Sequence, residues 1–274
     1  MTSTTEGIPR QRSLVAFLYA IPIAILGGLI GLGGAEFRLP VLVRTLRYSA
    51  HQAVPLNLAV SLVTVIASFI VRSRTLSLAP LSPYTPAIGS MIGGAVITAF
   101  IGPALAGRLS REQLERMIVL LLVGIGVALI VEGFLPQTTA ALLPANLSIQ
   151  IPAGILFGLA IGLVSSLLGV AGGELIIPTL VFAYGADIKV AGTASLIISL
   201  PTIMVGLIRY ATRKGFPDRR PLTHTVAPMG IGSIIGAIIG GLLVGAAPTW
   251  ILKIGLGCVL IVSAVRAFRH SRMQ

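Results

Sequence analysis

The chain has 274 residues, of which 55% are hydrophobic and only 10% charged, and its mean hydropathy is +0.99. A soluble domain carries about 25% charged residues, so this composition excludes an ordinary soluble fold and leaves a polytopic membrane protein. The net charge of +12 fits nucleic acid in principle. The basic residues, however, stand in short stretches beside apolar runs, as the positive-inside rule places them. The expected partner is therefore the lipid bilayer and not nucleic acid.

Uncharged runs longer than the roughly 18 residues that mark a membrane span cover 14–35, 52–71, 75–107, 133–173, 190–208 and 225–252. A shorter run, 254–265, reaches span length if Lys253 snorkels to the interface. Arg10 and Arg12 before the first run imitate a signal peptide, but that run leads straight into a glycine motif and reads as retained structure. The single cysteine, Cys258, allows no disulfide framework and no cysteine metal site.

In chain order, the spacing predicts a broken helical hairpin at 14–47, then spans at 50–71, 82–106 and 114–133, which together make an N-terminal repeat, 1–133. A connector without basic residues, 134–147, carries Pro136, Pro144 and Asn146, residues that suit a loop. A second hairpin at 148–185 and spans at 188–209, 224–246 and 249–267 make the C-terminal repeat, 148–274. The evidence for duplication is direct. Residues 31–61 align without a gap on 169–199, and nine of the 31 positions are identical: Gly31, Gly34, Glu36, Pro40, Leu42, Val43, Ala53, Leu58 and Ser61. The third segments repeat as well, Gly89-Ser90-Met91-Ile92-Gly93 against Gly232-Ser233-Ile234-Ile235-Gly236, a pattern expected to let helices approach closely.

Basic residues choose the topology. If the glycine segments enter and return on one side, 15 loop arginines and lysines lie with the N-terminus and four (Arg72, Arg74, Lys189, Lys253) lie opposite. If every segment crosses, the ratio falls to 12 against seven. The expected architecture is an all-α polytopic protein of the cytoplasmic (inner) membrane with two inverted repeats. Each repeat is a re-entrant hairpin plus three transmembrane helices, and both termini are cytoplasmic.

Glycines, a carboxylate and a proline that interrupt apolar segments at matching points of two halves point to a transporter's binding site. The turns are placed at Gly33-Gly34 and Gly172-Gly173. The half-helices that start after these turns present free amides and a positive dipole end, which suit an anion. Glu36, Glu174 and Arg38 are the ionisable residues expected deep in the membrane layer, where such groups are functional by default. Arg38 has Ile176 opposite it in the second copy. Its guanidinium forks onto oxyanions, or it forms a structural ion pair with Glu36 or Glu174. The two glutamates are candidates to carry a coupled proton, or they cap the half-helices as anions. Glu174 is the preferred carrier, since Glu36 has a fixed positive neighbour in Arg38. Asn57, Ser61, Ser195 and Ser199 on the following spans complete the candidate site. His51 and His224 fall at span ends and are read as surface residues.

The duplicated Gly-x-Gly-Gly-x-x-x-x-x-Pro pattern, about 140 residues apart, resembles the TauE/SafE family of sulfite and organosulfonate exporters, over residues 14–268. The family's first copy often has three consecutive glycines. Here the third is Ala35, and the second copy has Ala171 where the first has Gly33. The resemblance implies export of a small sulfur-containing or carboxylated anion by a secondary transporter, with a passive anion channel as the alternative. No cofactor and no metal are expected, and the oligomeric state is left open, a homodimer being one option. An enzyme is not expected. The chain has no Gly-x-Ser-x-Gly turn, no His-Glu-x-x-His and no phosphate-binding Gly-x-x-x-x-Gly-Lys-Ser loop.

Overall fold

The computed structural model describes residues 9–105, 111–134, 141–168, 171–214 and 221–271. Gly169, connector residues 135–140 and the loop arginines Arg108, Arg219 and Arg220 lie outside the described residues, as does the side chain of His51. The protein is all-α. Its helices are α1 (Pro9–Ile30), α2 (Ala35–Pro40), α3 (Ala50–Thr75), α4 (Thr85–Leu105), α5 (Arg111–Phe134), α6 (Leu147–Leu168), α7 (Gly173–Pro178), α8 (Ile188–Lys214), α9 (Ala227–Ala246) and α10 (Thr249–Ser271). Among the described residues there is no strand. Five stretches are long and apolar enough to cross a membrane: Gln11–Ile30, Gln52–Thr75, Leu147–Ser165, Ile188–Thr212 and Leu222–Ala246.

Both glycine motifs break the helix where expected. Gly34 (φ 67°) and Gly172 (φ 76°) are left-handed residues immediately before α2 and α7, a conformation that costs glycine nothing. The chain then turns back along the helix it has left. Gly34 comes against Ile23, and Leu42 and Leu46 join Ala16 and Ala20 in one buried cluster. Both short helices widen into a π turn just past their proline, Val41–Thr45 after Pro40 and Thr179–Ala183 after Pro178. Proline has no amide to donate and its ring crowds the turn before it, so a wider turn accommodates it.

Each returning arm ends level with the start of its hairpin. Ser13 donates to the His224 carbonyl, and the Tyr48 hydroxyl meets that of Thr225 next door (2.7 Å). In the second half Tyr184 donates to the Gln150 carbonyl (2.9 Å). The amides of Leu142 and Leu143 donate to the carbonyls of Phe182 and Ala183 (3.0 Å each). Asn146, expected in the connector, takes the Ser148 amide on its side-chain oxygen (2.9 Å) and so caps α6.

The two halves interlock. α1 packs along α9, α4 along α6, and α5 along α10. The repeated small-residue pattern behaves differently in its two copies. A side chain at Gly232 or Gly236 would run into the carbonyl of Phe17 or Ile21, whereas Gly89 and Gly93 face open space. In the α4–α6 contact Gly94, Gly158 and Gly162 make the close approach instead. The close-packing expectation therefore holds for the second copy and fails for Gly89 and Gly93, because α4 turns a neighbouring face to its partner.

The set of buried charges is also larger than expected. Arg72, assigned to a loop from its place at a span end, is wholly buried, and Lys253 does not snorkel. Lys253 meets Glu132 at 2.8 Å between α10 and α5, at side-chain exposures of 6% and 12%. Partners 121 residues apart leave no local signal of such a pair.

Candidate functional site

The two breaks meet. A side-chain carbon at Gly33 would come within 2.8 Å of the Ala171 Cβ, and one at Gly173 within 3.1 Å of Leu32. Just past these glycines the carboxyl groups of Glu36 and Glu174 come near enough to interact with each other. Two carboxyl groups thus lie together where the halves meet.

α3 and α8 supply the surrounding polar groups at equivalent positions. Asn57 donates to the Ala35 carbonyl (3.0 Å), and its counterpart Ser195 lies over Gly173, 3.0 Å from where a Cβ would stand. Ser61 accepts from Arg38 (2.9 Å), and its counterpart Ser199 donates to the Ala171 carbonyl (3.0 Å). Asn57, Ser61 and Ser195 are all at 0% exposure, so these groups can meet only protein or an enclosed guest. All twelve residues expected at the site, Gly33, Gly34, Ala35, Glu36, Arg38, Asn57, Ser61, Gly172, Gly173, Glu174, Ser195 and Ser199, belong to the two breaks or to the α3 and α8 faces against them.

Arg38 is held by neutral groups. Its terminal nitrogens donate to Ser61 (2.9 Å), Thr64 (2.9 Å) and the Gly33 carbonyl (3.1 Å). Among the described residues it bonds no carboxylate, although Glu36 is near enough to attract its charge. A fully buried guanidinium must satisfy its donors, and the hydroxyls of α3 do so. Three buried polar atoms here have no protein partner: Arg38 Nε, Glu174 Oε1 and Ser195 Oγ. They come from three different elements, one donor, one carboxyl oxygen and one hydroxyl. Buried groups of this kind ordinarily hold water or a ligand.

The model of the sulfite exporter TauE/SafE family matches residues 2–129 and 154–274. The chain belongs to the TauE/SafE family. It is also similar to the probable membrane transporter protein YdhB of Bacillus subtilis (strain 168), 25% identical over 241 residues, 88% of this chain and 92% of the relative. No solved structure matches. Family and relative place this TauE/SafE chain with membrane transporters and point away from an enzyme.

Sequence reasoning missed Thr64, which accepts from Arg38 and passes a hydrogen bond on to the Val60 carbonyl (2.9 Å). The signal was available. The repeat register continues to Thr64 and Thr202, and Thr202 bonds the Ile198 carbonyl in the same way (3.0 Å). Among the described residues of this TauE/SafE chain no cluster of three or more metal-ligating side chains occurs.

Proposed function

We propose that this transporter moves a small oxyanion, such as sulfite, an organosulfonate or a related carboxylate, through a site formed where its two helix breaks meet. The observation that carries this reading is the set of buried, unpartnered polar atoms at the seam: Arg38 Nε, Ser195 Oγ and Glu174 Oε1. An oxyanion takes hydrogen bonds from Arg38 and Ser195 in charge-assisted form, and the amides that open α2 and α7 add positive potential. The Glu36–Glu174 pair supplies the coupled proton. An arriving anion draws on Arg38, and the pair answers by changing its proton occupancy, which links the two fluxes.

The halves act as inverted repeats in the cytoplasmic (inner) membrane, with both termini inside and the fixed site between them. Two features support this. Each hairpin returns to the level at which it began. Arg72 and Lys253, two of the four charges on the poorer side of the topology count, are buried in helix contacts instead of standing in loops.

Binding to purified protein tests the site, with sulfite, sulfoacetate, taurine, thiosulfate and simple carboxylates as probes. At least one anion is expected to bind to wild type and to lose binding in Arg38→Ala. A silent screen, or unchanged affinity in Arg38→Ala, removes the anion reading. Uptake against a concentration gradient driven by a proton gradient separates a secondary transporter from a passive channel. Impermeant thiol labelling of Ala141→Cys in a Cys258→Ala background tests the topology, since labelling only from the cytoplasmic face rejects it.

A further inference from the structure

Arg72 takes no part in the site described above, yet it is among the largest fully buried side chains in the protein. Its Nε donates to Thr193 (3.1 Å), one terminal nitrogen to the carbonyls of Gly28 (3.1 Å) and Leu29 (3.4 Å), and the other to the Lys189 carbonyl (2.9 Å). One guanidinium thus joins the last turn of α1, the end of α3 and the first turn of α8. Beside it Gly31 and Gly192 touch backbone to backbone, leaving no room for a side chain at either. Nearby, Thr75 donates to the Gly241 carbonyl (3.0 Å) and Lys189 to that of Gly245 (3.2 Å), which draws α9 into the same end. Among the described residues every acceptor of Arg72 is neutral. A buried cation held only by neutral groups is poorly compensated, and the partial negative charge at the end of α1 offsets only part of it.

Arg72 also ends a track. Asn57, Ser61, Thr64, Ser68 and Arg72 follow one another at steps of four, three, four and four residues, which puts them on one face of α3, all at 0% exposure. At 1.5 Å per residue this face covers about 22 Å. Ser68 Oγ, midway between Thr64 and Arg72, is buried without a partner. The counterpart face of α8 begins alike with Ser195, Ser199 and Thr202 but ends in Gly206 and Tyr210. The polar line therefore extends beyond the seam in one direction only, toward the end closed by Arg72.

We infer that the anion's route between the seam and the Arg72 end follows this face of α3, and that Arg72 is its gate. An anion reaching Ser68 offers the guanidinium a charged acceptor, and charge-assisted hydrogen bonds are roughly twice as strong as neutral ones. The arginine then releases the α1 carbonyls and Thr193, and α1, α3 and α8 separate. This inference rests on the anion-transport reading, and its test is arranged to fail separately from it.

Ser68→Cys in a Cys258→Ala background reports opening through reaction with an impermeant thiol reagent added to sealed vesicles. With Arg72 present the thiol is expected to be protected without anion and to react at least five-fold faster with sulfite. With Arg72→Gln added it should react quickly in either condition. On the Ser68 background, Arg72→Gln should keep sulfite binding within about three-fold while exchange falls ten-fold or more, and Arg72→Lys should recover part of that exchange. If Arg72→Gln does not fold, Thr193→Val removes one acceptor at constant shape and should speed labelling in the same sense. Exchange in Arg72→Gln equal to wild type overturns the gate, as does a thiol equally protected in every variant. Failure of wild type to bind sulfite counts against the anion reading instead, and anion-free labelling in Arg72→Gln then decides the gate alone.

Discussion

The first and second breaks are the same backbone device with different chemistry. Each has a left-handed glycine, a glutamate two residues on, a proline and a π turn. Past the glutamate they diverge: Arg38 against Ile176, Asn57 against Ser195, Ser68 against Gly206, Arg72 against Tyr210, and Arg47 against Gly185. Three of these five pairs put an arginine in the first half, whereas nearer the start of α8 the second half has Asp187, Lys189 and Thr193 against Ser49, His51 and Pro55. Backbone geometry is what the two halves share, and on the proposed reading the first half supplies the charge that recognises an anion.

The largest effect expected from this comparison is at Arg38. Arg38→Ala should abolish anion binding and also destabilise the protein by about 3 kcal/mol or more, since Ser61, Thr64 and the Gly33 carbonyl lose a buried partner. Arg38→Lys should keep weak binding, as charge survives without the planar fork. Ile176→Ala should cost a similar amount, about 2–5 kcal/mol, yet leave affinity within a few-fold. Calorimetric binding together with thermal unfolding separates the two, and equal losses of affinity would dissolve the contrast. Next comes the glutamate pair. Glu174→Gln should retain exchange at zero gradient but lose acceleration by a pH gradient, because an amide mimics only the protonated carboxyl. Full pH-gradient dependence in reconstituted Glu174→Gln would pass the role to Glu36.

Two smaller effects sharpen the comparison further. Ser199→Ala leaves the Ala171 carbonyl without its donor and should destabilise by about 0.6–1.7 kcal/mol, the range for interhelical hydrogen bonds in membranes. Ser195→Ala removes a hydroxyl with no protein partner, so it should leave thermal unfolding unchanged and weaken anion binding. The smallest change is at Arg47, a non-glycine residue at φ 55° where the second half has Gly185 at φ 70°. Arg47→Gly should stabilise by about 1 kcal/mol, the cost of a left-handed conformation for a residue with a side chain. A lower unfolding temperature in that variant would mean that the exposed side chain holds contacts of its own.

The breaks, the glutamates and the α3 and α8 hydroxyls were legible in the sequence because duplication wrote each signal twice at one offset. What was not legible occurs once or depends on distant partners. Arg72 sits at the end of an apolar run, where hydropathy cannot tell a loop arginine from one folded back onto the carbonyls of α1. Glu132 and Lys253 become a pair only when α5 meets α10. Gly89 and Gly93 carry the same letters as Gly232 and Gly236, but α4 meets α6 through Gly94, against Gly158 and Gly162. Thr64 belonged to the legible set, and extending the repeat by three residues reaches it.

The interlocked helices have a consequence for biosynthesis. The face of α1 that Gly232 and Gly236 cover waits for α9, whose contacts lie more than 200 residues downstream. At roughly 5–20 residues per second, the ribosome takes some tens of seconds to deliver them. Throughout that time the first helix stands in lipid or against the insertion machinery with its carbonyl-lined groove uncovered. A nascent chain arrested before Ala227 lacks the main partner of α1, and quality-control proteases should clear it as an orphan. Supplying the missing C-terminal half as a separate polypeptide in the same membrane should rescue it.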